Sequence, residues 1–413
     1  MYLNCKIQVF INDLTKPINS IVSVDMHNDG NHIGASCEIV MPLSARIEHD
    51  DSENHFIINP VRYSYNTGDH VIVNAKYEGM ESYGNADGWV RIFEGFLYDF
   101  YEGTPLKIKC LDYIYWFNIG IYGSAYVWTK KTTSTGKTKK GSIKGGEGKQ
   151  FASIEFADLL QDLVDWTNTY IDGYNEENGT NFPDVTLIRP EFSFVLENIT
   201  FTNMSPAAVL EWLKRELGFN ISLTGTQLYA NIASYTLNQV KLDSGINVLE
   251  SNLQSTNLTK RRTKKTRGAN SVFLRIKLKV YFEKEDGTKD SMEIGDPNGV
   301  LRECFFYKVK KGNMVEYPTG SGSMVPENYL KFANEALNAC YLKSYKGDVT
   351  TLLYPIIGLF DKVTYTDRRY TEQNGDYVAT AINITLDDKG FHQKSHLSFL
   401  TNYNILQTAN QNG

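Results

Sequence analysis

The sequence predicts a mainly β protein with inserted helices, an α+β chain made of two similar small β-barrel domains, a helix-containing intermediate domain and insertions. Three features predict it. Aromatic residues are 13% of the 413 residues, led by 26 Tyr and 21 Phe, and they accompany 32 Gly, a composition suited to strands joined by tight turns. Apolar and polar residues alternate with period two over many short stretches. Two stretches far apart also follow one plan: Gly68-Asp69-His70-Val71-Ile72-Val73 and Phe360-Asp361-Lys362-Val363-Thr364-Tyr365 each open a strand that leads through later turns to a final alternating strand. A duplicated sheet is the implied plan.

In chain order, residues 1–120 read as the first barrel, with strands CKIQVFI, ASCEIVM, HVIVNAKYE, VRIFEGFLYDFY and LKIKCLDYIYWF. Leu106, Ile108 and Cys110 alternate with Lys107 and Lys109, which sets one face on a core and the other in water. Glu102-Gly103-Thr104-Pro105 closes the hairpin before that strand. Residues 121–150 read as a mobile loop: from Thr129 to Gln150 there are seven lysines and one acid, Glu147, among Gly, Ser and Thr.

The intermediate domain is expected over 151–245. Its first helix follows from Ile154, Phe156, Leu159, Leu160, Leu163 and Val164 at helical spacing. Its second follows from Ser205 as N-cap, Pro206 at the first helical position, the stripe Val209, Leu210, Leu213 and Leu217, and Gly218 as the stop. FNISLTGTQLYANI then reads as a hairpin. Residues 246–280 and 346–405 are expected to form the second barrel, with VFLRIKLKVYF as a strand and 360–400 as a meander turning at Asn374-Gly375 and Asp388-Lys389-Gly390. The insertion 281–345 carries a helix over about 326–345, with Leu330, Ala333, Leu337 and Cys340 on one face.

The charge balance of 42 basic and 48 acidic residues gives −6, which does not make the whole chain a nucleic-acid binder. Cys5, Cys37, Cys110, Cys304 and Cys340 are odd in number and widely spaced, as in reduced small hydrophobes of a cytoplasmic protein and unlike a disulfide framework or zinc site. The start MYLNCKIQVF carries no signal-peptide pattern, and nowhere do eighteen apolar residues run together.

Chemistry-bearing motifs are weak. Thr135-Gly136-Lys137-Thr138 lacks the earlier glycine of a phosphate-binding loop, since Lys131 stands there. His392 and His396, four apart in a strand pattern, are too distant to share a metal ion. The acidic run Glu48-His49-Asp50-Asp51-Ser52-Glu53 lacks the glycine and oxygen periodicity of a calcium loop. With no nucleophile elbow or HExxH, the chain is expected to be no enzyme and to use no cofactor or metal. One cluster stands out: Lys260, Arg261, Arg262, Lys264, Lys265 and Arg267 within eight positions, with no acid between Ser251 and Phe282. It reads either as a solvated loop or as a contact with an acidic partner or passing nucleic acid.

Four stretches in this order resemble the tail or baseplate hub proteins of long-tailed bacteriophages and the hub halves of contractile injection and type VI secretion spikes. They are Phe93-Glu94-Gly95-Phe96-Leu97-Tyr98-Asp99 with Leu106 to Tyr113; Ser205 to Gly218; Leu253 to Leu258; and Gly347 to Pro355 with Asp361-Lys362-Val363 and Gly375-Asp376-Tyr377-Val378. The resemblance implies a homotrimer whose two barrels per chain form a pseudo-sixfold ring, an adaptor between the hexameric tail tube and a threefold spike or tip. It also implies contacts with the tail tube protein, the spike or tip protein and other baseplate proteins, transient contact with passing DNA in the channel, and a place in the virion after synthesis in the host bacterial cytoplasm. Any cell-wall cleavage would fall to a partner chain. Two other readings are a carbohydrate-binding tail adhesin, with exposed Tyr and Trp stacking on sugars, and a peptidoglycan-cleaving tail enzyme with a carboxylate pair brought together by the fold.

Overall fold

A computed structural model describes residues 5–12, 17–18, 21–30, 32–42, 47–50, 55–58, 66–77, 88–101, 103, 105–123, 148–190, 195–217, 220–231, 238–255, 276–283, 288–295, 300–305, 313–317, 324–340, 345–388 and 390–399. The fold is mainly β with inserted helices, as the alternation predicts. The chain divides into two units, one of residues 1–115, 235–272 and 343–402 and the other of residues 116–234, 273–342 and 403–413.

The first unit is built on a 13-stranded sheet. Its strands are β1 (Cys5–Ile11), β2 (Ser23–Asp29), β3 (Ser36–Met41), β4 (His70–Tyr77), β5 (Val90–Tyr101) and β6 (Leu106–Leu111) from the first part of the chain. From the later part come β7 (Gln239–Asp243), β8 (Val248–Ser251), β9 (Gln254–Ser255), β10 (Tyr345–Leu352), β11 (Lys362–Thr366), β12 (Gly375–Asp387) and β13 (Gly390–Phe399). Period-two burial is plain in β6, where Leu106, Ile108 and Cys110 are buried beneath half-buried Lys107, Lys109 and Leu111. Residues of both parts share one apolar core, among them Val73, Phe93 and Ile108 from the first and Val349, Ile384 and Leu397 from the second.

Cys37 and Cys110 lie directly opposite each other on β3 and β6, buried and unbridged. Burial pushes both thiols up, so they stay protonated and act as small apolar side chains.

The second unit carries the helices. Phe156–Asn178 buries Phe156, Leu159, Leu160, Leu163 and Val164 along one stripe and stops at Gly179, whose φ of 66° suits glycine. Ile154, expected in that stripe, belongs instead to the strand Lys149–Glu155 and faces Leu196 of the antiparallel strand Val195–Phe201. An apolar residue just ahead of a helix fits either period, and here cross-strand pairing decides. The second helix, Pro206–Leu217, is capped as expected, with Ser205 Oγ accepting from the Ala208 N–H at 3.2 Å. The hairpin of Asn220–Thr224 with Gln227–Asn231 also matches expectation.

Two boundaries differ from those the sequence suggests. Strand Ile276–Glu283 pairs with Lys289–Gly295 and Val300–Phe305 in a separate three-stranded sheet, within the second unit. Strand β7, from the stretch expected to be intermediate domain, pairs in parallel with β11 in the large sheet. The third helix is described over Glu327–Cys340, and Tyr345, expected at its end, opens β10 instead. The expected mobile loop falls mostly on residues 124–147, which lie outside the described residues.

Candidate functional site: a duplicated sheet

The two parts of the large sheet repeat one topology. Across the first half the neighbours run β1-β4-β5-β6-β3-β2, and across the second β7-β11-β12-β13-β10-β8, with β9 continuing β8 along β10. In chain order both halves read first, fourth, fifth, sixth, third, second. The one reversal is β7, which runs parallel to β11 where β1 runs antiparallel to β4.

Register makes the match residue by residue. On β5 a bulge falls between Leu97 and Asp99 opposite Cys110 and Lys109; on β12 a bulge falls between Ala379 and Ala381 opposite Leu397 and His396. Aligning the bulges sets Glu94 on Asp376, and then His70, paired across from Phe96, matches Lys362, paired across from Val378. Cys110 on Leu397 likewise sets Glu38 on Asp348 and Lys107 on Lys394.

The matched positions carry matched chemistry. Gly68 donates to the Leu97 carbonyl at 2.8 Å and Leu97 donates to the Asp69 carbonyl at 2.9 Å; Phe360 donates to Ala379 at 2.7 Å and Ala379 to Asp361 at 3.0 Å. Asp69 Oδ2 accepts from the Asn66 N–H and Asp361 Oδ2 from the Gly358 N–H, both at 2.7 Å. Gly68 and Phe360 both have positive φ, 98° and 64°. That backbone is easy for glycine and strained for phenylalanine, and it persists because the Phe360 ring is buried with Leu359 and Val378.

Paired polar side chains repeat as well. His70 Nε2 meets Glu94 at 3.1 Å where Lys362 meets Asp376 at 2.8 Å, and Lys107 meets Glu38 at 3.0 Å where Lys394 meets Asp348 at 2.9 Å. The hydrogen bond from His70 holds the Glu94 carboxyl below its ordinary value. Partial burial pushes Asp376 and Asp348 up, but the bonds from Lys362 and Thr364, and from His396 and Lys394, outweigh it and leave both low. His396 is thus held by Asp348 at 2.8 Å, and His392 and His396 stand apart on β13 as a strand requires.

The halves are joined edge to edge. β2 runs antiparallel to the far half of β12, from Val24 opposite Leu386 to Asp29 opposite Ala381. His27 bonds across to Asn383. Gly30 donates to the carbonyl of Thr380, the bulged residue, at 2.8 Å, and a Cβ on Gly30 would fall 2.9 Å from that oxygen, so the approach needs glycine. Tyr77 ties the halves a second time: its hydroxyl donates to the Phe391 carbonyl at 2.8 Å and accepts from the Leu353 N–H at 3.3 Å.

Near the end of the first half Asp112 is buried, accepting from the Ala35 N–H at 2.7 Å and the Ile114 N–H at 3.0 Å. Burial raises its carboxyl to about 7 despite those two bonds. Because the folded chain holds this proton to a higher pH than the unfolded chain, the group's contribution is full below about pH 4 and is lost as pH rises towards 7. The stability advantage of wild type over Asp112→Asn, read from urea melts, is therefore expected to shrink by a few kcal/mol from pH 4 to 7. An advantage constant across that range would refute a protonated Asp112.

No protein-family model and no curated protein matches this chain. Solved structures do. The 43 kDa tail protein of prophage MuSo2 from Shewanella oneidensis is 13% identical and aligns over 96% of this chain and 98% of its own, with a TM-score of 0.51. The tail protein from Neisseria meningitidis MC58 is 11% identical over 96% of both chains, with a TM-score of 0.54. The chain has the fold of phage tail proteins. That tail-protein fold is the one the four resembling stretches imply, and three of these stretches map onto the duplicated sheet: β5 with β6, the entry at Leu253, and β10 to β12.

Lys260, Arg261, Arg262, Lys264, Lys265 and Arg267 of the expected basic contact lie outside the described residues, as do Asp51, Ser52 and Glu53 of the acidic run. Among the described residues no group of three or more His, Cys, Asp and Glu side chains could hold a metal ion, and no helix is long and apolar enough to cross a membrane. What sequence reasoning missed is the joint between β2 and β12. Its signal, Gly30 against the bulge, is a single glycine without a local pattern.

Proposed function

We propose that this chain is a structural hub of a phage tail or phage-like injection device, a homotrimer that adapts a hexameric tail tube to a threefold spike or tip and forms part of the channel for genome delivery. The duplication within one chain carries the reading. A ring of six like positions can be filled by three chains if each supplies two like halves, and a threefold surface then remains available elsewhere on the same chains. Each half serves as one hub barrel. The function is assembly, so the polar groups of the sheet are spent on internal ion pairs and turns that repeat between halves rather than on a reacting centre.

In this reading the partners are two further copies of the chain, the tail tube protein, the spike or tip protein and other baseplate proteins, and the protein resides in the virion. The basic run 260–267 is proposed to face one of these partners or the passing DNA, where clustered cations gain by releasing counterions. The copy number of the purified assembly tests the proposal: three chains support it, and a chain that stays single at micromolar concentration overturns it.

A further inference from the structure

β1 ends the strand order of the large sheet, and a cleft opens along its outer side. One flank of β1 pairs with β4; on the other Val9 meets Ile18 in an isolated bridge, donating to the Ile18 carbonyl at 3.1 Å and accepting from its N–H at 2.7 Å. Past Ile18 the chain leaves β1, because Val22 already donates to the Val40 carbonyl of β3 at 2.8 Å. The wedge left between the two stretches is a cleft of about 800 Å³, walled by Ile7 and Gln8 on the β1 side and by Ile21 and Val22 on the other. A space of that size holds a short piece of chain or a small ligand.

Backbone phase distinguishes the two. In an antiparallel pair, alternate residues aim N–H and C=O at the partner strand and the residues between them aim away. Asn12 donates to the His70 carbonyl at 2.9 Å, so the even-numbered residues of β1 face β4, and Ile7, like Val9, faces outward. Among the described residues no backbone bond reaches Ile7 from the cleft side. A donor and an acceptor offered together by one edge residue are a template for an added strand. Side chains round the cleft agree. Ile7 and Ile21 pack against the core, and Val22 is 49% exposed. Lys6 and Lys76, opposite each other on β1 and β4, are balanced in the lining by Asp387 and Asp388, so it carries no net charge and suits an uncharged segment rather than a polyanion.

We propose that this cleft takes a short extended segment of a partner protein, added antiparallel to β1 in line with Ile18 and hydrogen-bonded through its backbone to Ile7. The residue opposite Ile7 is apolar, since it falls on the face of the sheet that Ile7 and Val9 turn to the core. Its neighbours fall with Lys6 and Gln8 and are polar and uncharged. The site lies within one chain, so neither outcome of the copy-number measurement bears on it.

A fluorescein-labelled Thr-Val-Thr-Val-Thr amide is the probe, and its anisotropy is read against increasing concentrations of the full chain. Saturable binding is expected at submillimolar protein, unchanged from low salt to half-molar salt as a neutral lining requires. Ile7→Pro removes the outward N–H and no bond to β4, so the ladder is kept while affinity is expected to fall about tenfold. Methylating both valine nitrogens of the probe makes the same test on the wild-type protein, independent of how the variant folds, and is also expected to weaken binding about tenfold. No saturable binding, binding that either change leaves intact, or binding lost in half-molar salt would overturn the proposal. Displacement of the probe by a neutral oligosaccharide such as cellotetraose at lower concentration than by unlabelled peptide would overturn it as well, in favour of a sugar site.

Discussion

Tyr77→Ala is expected to lower the free energy of unfolding by about 4 kcal/mol. Tyr77 ends β4 in the first half, is buried, and packs its ring 5.5 Å from that of Tyr354 and 5.4 Å from that of Phe391, both in the second half. Truncation removes this aromatic filling, worth about 3 to 5 kcal/mol in cores, and leaves a buried carbonyl and a buried N–H without the hydroxyl they share. Tyr77→Phe separates the two contributions. It keeps the ring and is expected to cost about 1 to 2 kcal/mol, the penalty for orphaning the Phe391 carbonyl and Leu353 N–H. Urea denaturation reads both values, and a loss under about 1 kcal/mol for the alanine variant would mean that Tyr77 does not tie the halves.

Gly95→Val is expected to cost about 3 kcal/mol or more, for a different reason. Gly95 sits on β5 where a Cβ would stand 2.2 Å from the Leu111 carbonyl oxygen and 2.8 Å from the Asp112 Cα. Backbone atoms cannot swing aside as a side-chain tip can, so β5 and β6 must separate. Gly179→Ala supplies the contrast. Its φ is positive but nothing lies within 4 Å of the added Cβ, so a cost of about 1 kcal/mol is expected from backbone strain alone. Equal melting temperatures for the two variants would contradict a steric role for Gly95.

The position of Gly95 also explains why the duplication is faint in sequence. Its match in the second half is Tyr377, fully buried, with its hydroxyl donating to the Gln373 carbonyl at 2.6 Å. The same place in the topology therefore takes the smallest side chain in one half and one of the largest in the other, because core packing follows local neighbours. The turns behave differently. Asp69 and Asp361 make the same bond three residues back along the chain, a local requirement that any copy must meet, and this is why the plan Gly68-Asp69-His70-Val71 against Phe360-Asp361-Lys362-Val363 is legible without a structure.

Helices declared by stripe and cap were readable for the same local reason, as at Ser205-Pro206. The pairing of Val24 with Leu386 was not, since strands over 350 residues apart leave no periodic mark of their meeting. That pairing also sets the edge-to-edge order of the whole sheet. The joint between the halves follows from it, which is why composition and motifs lead to the basic run 260–267 while the topology leads to Gly30 and the bulge at Thr380.

The mass of the purified native protein tests the idea of paired halves in a ring most directly. Native mass spectrometry at micromolar concentration is expected to show a particle of three times the 46.9 kDa chain. A single-chain mass, or a dimer that neither grows nor shrinks with concentration, would contradict it, because neither can place six like halves around one axis.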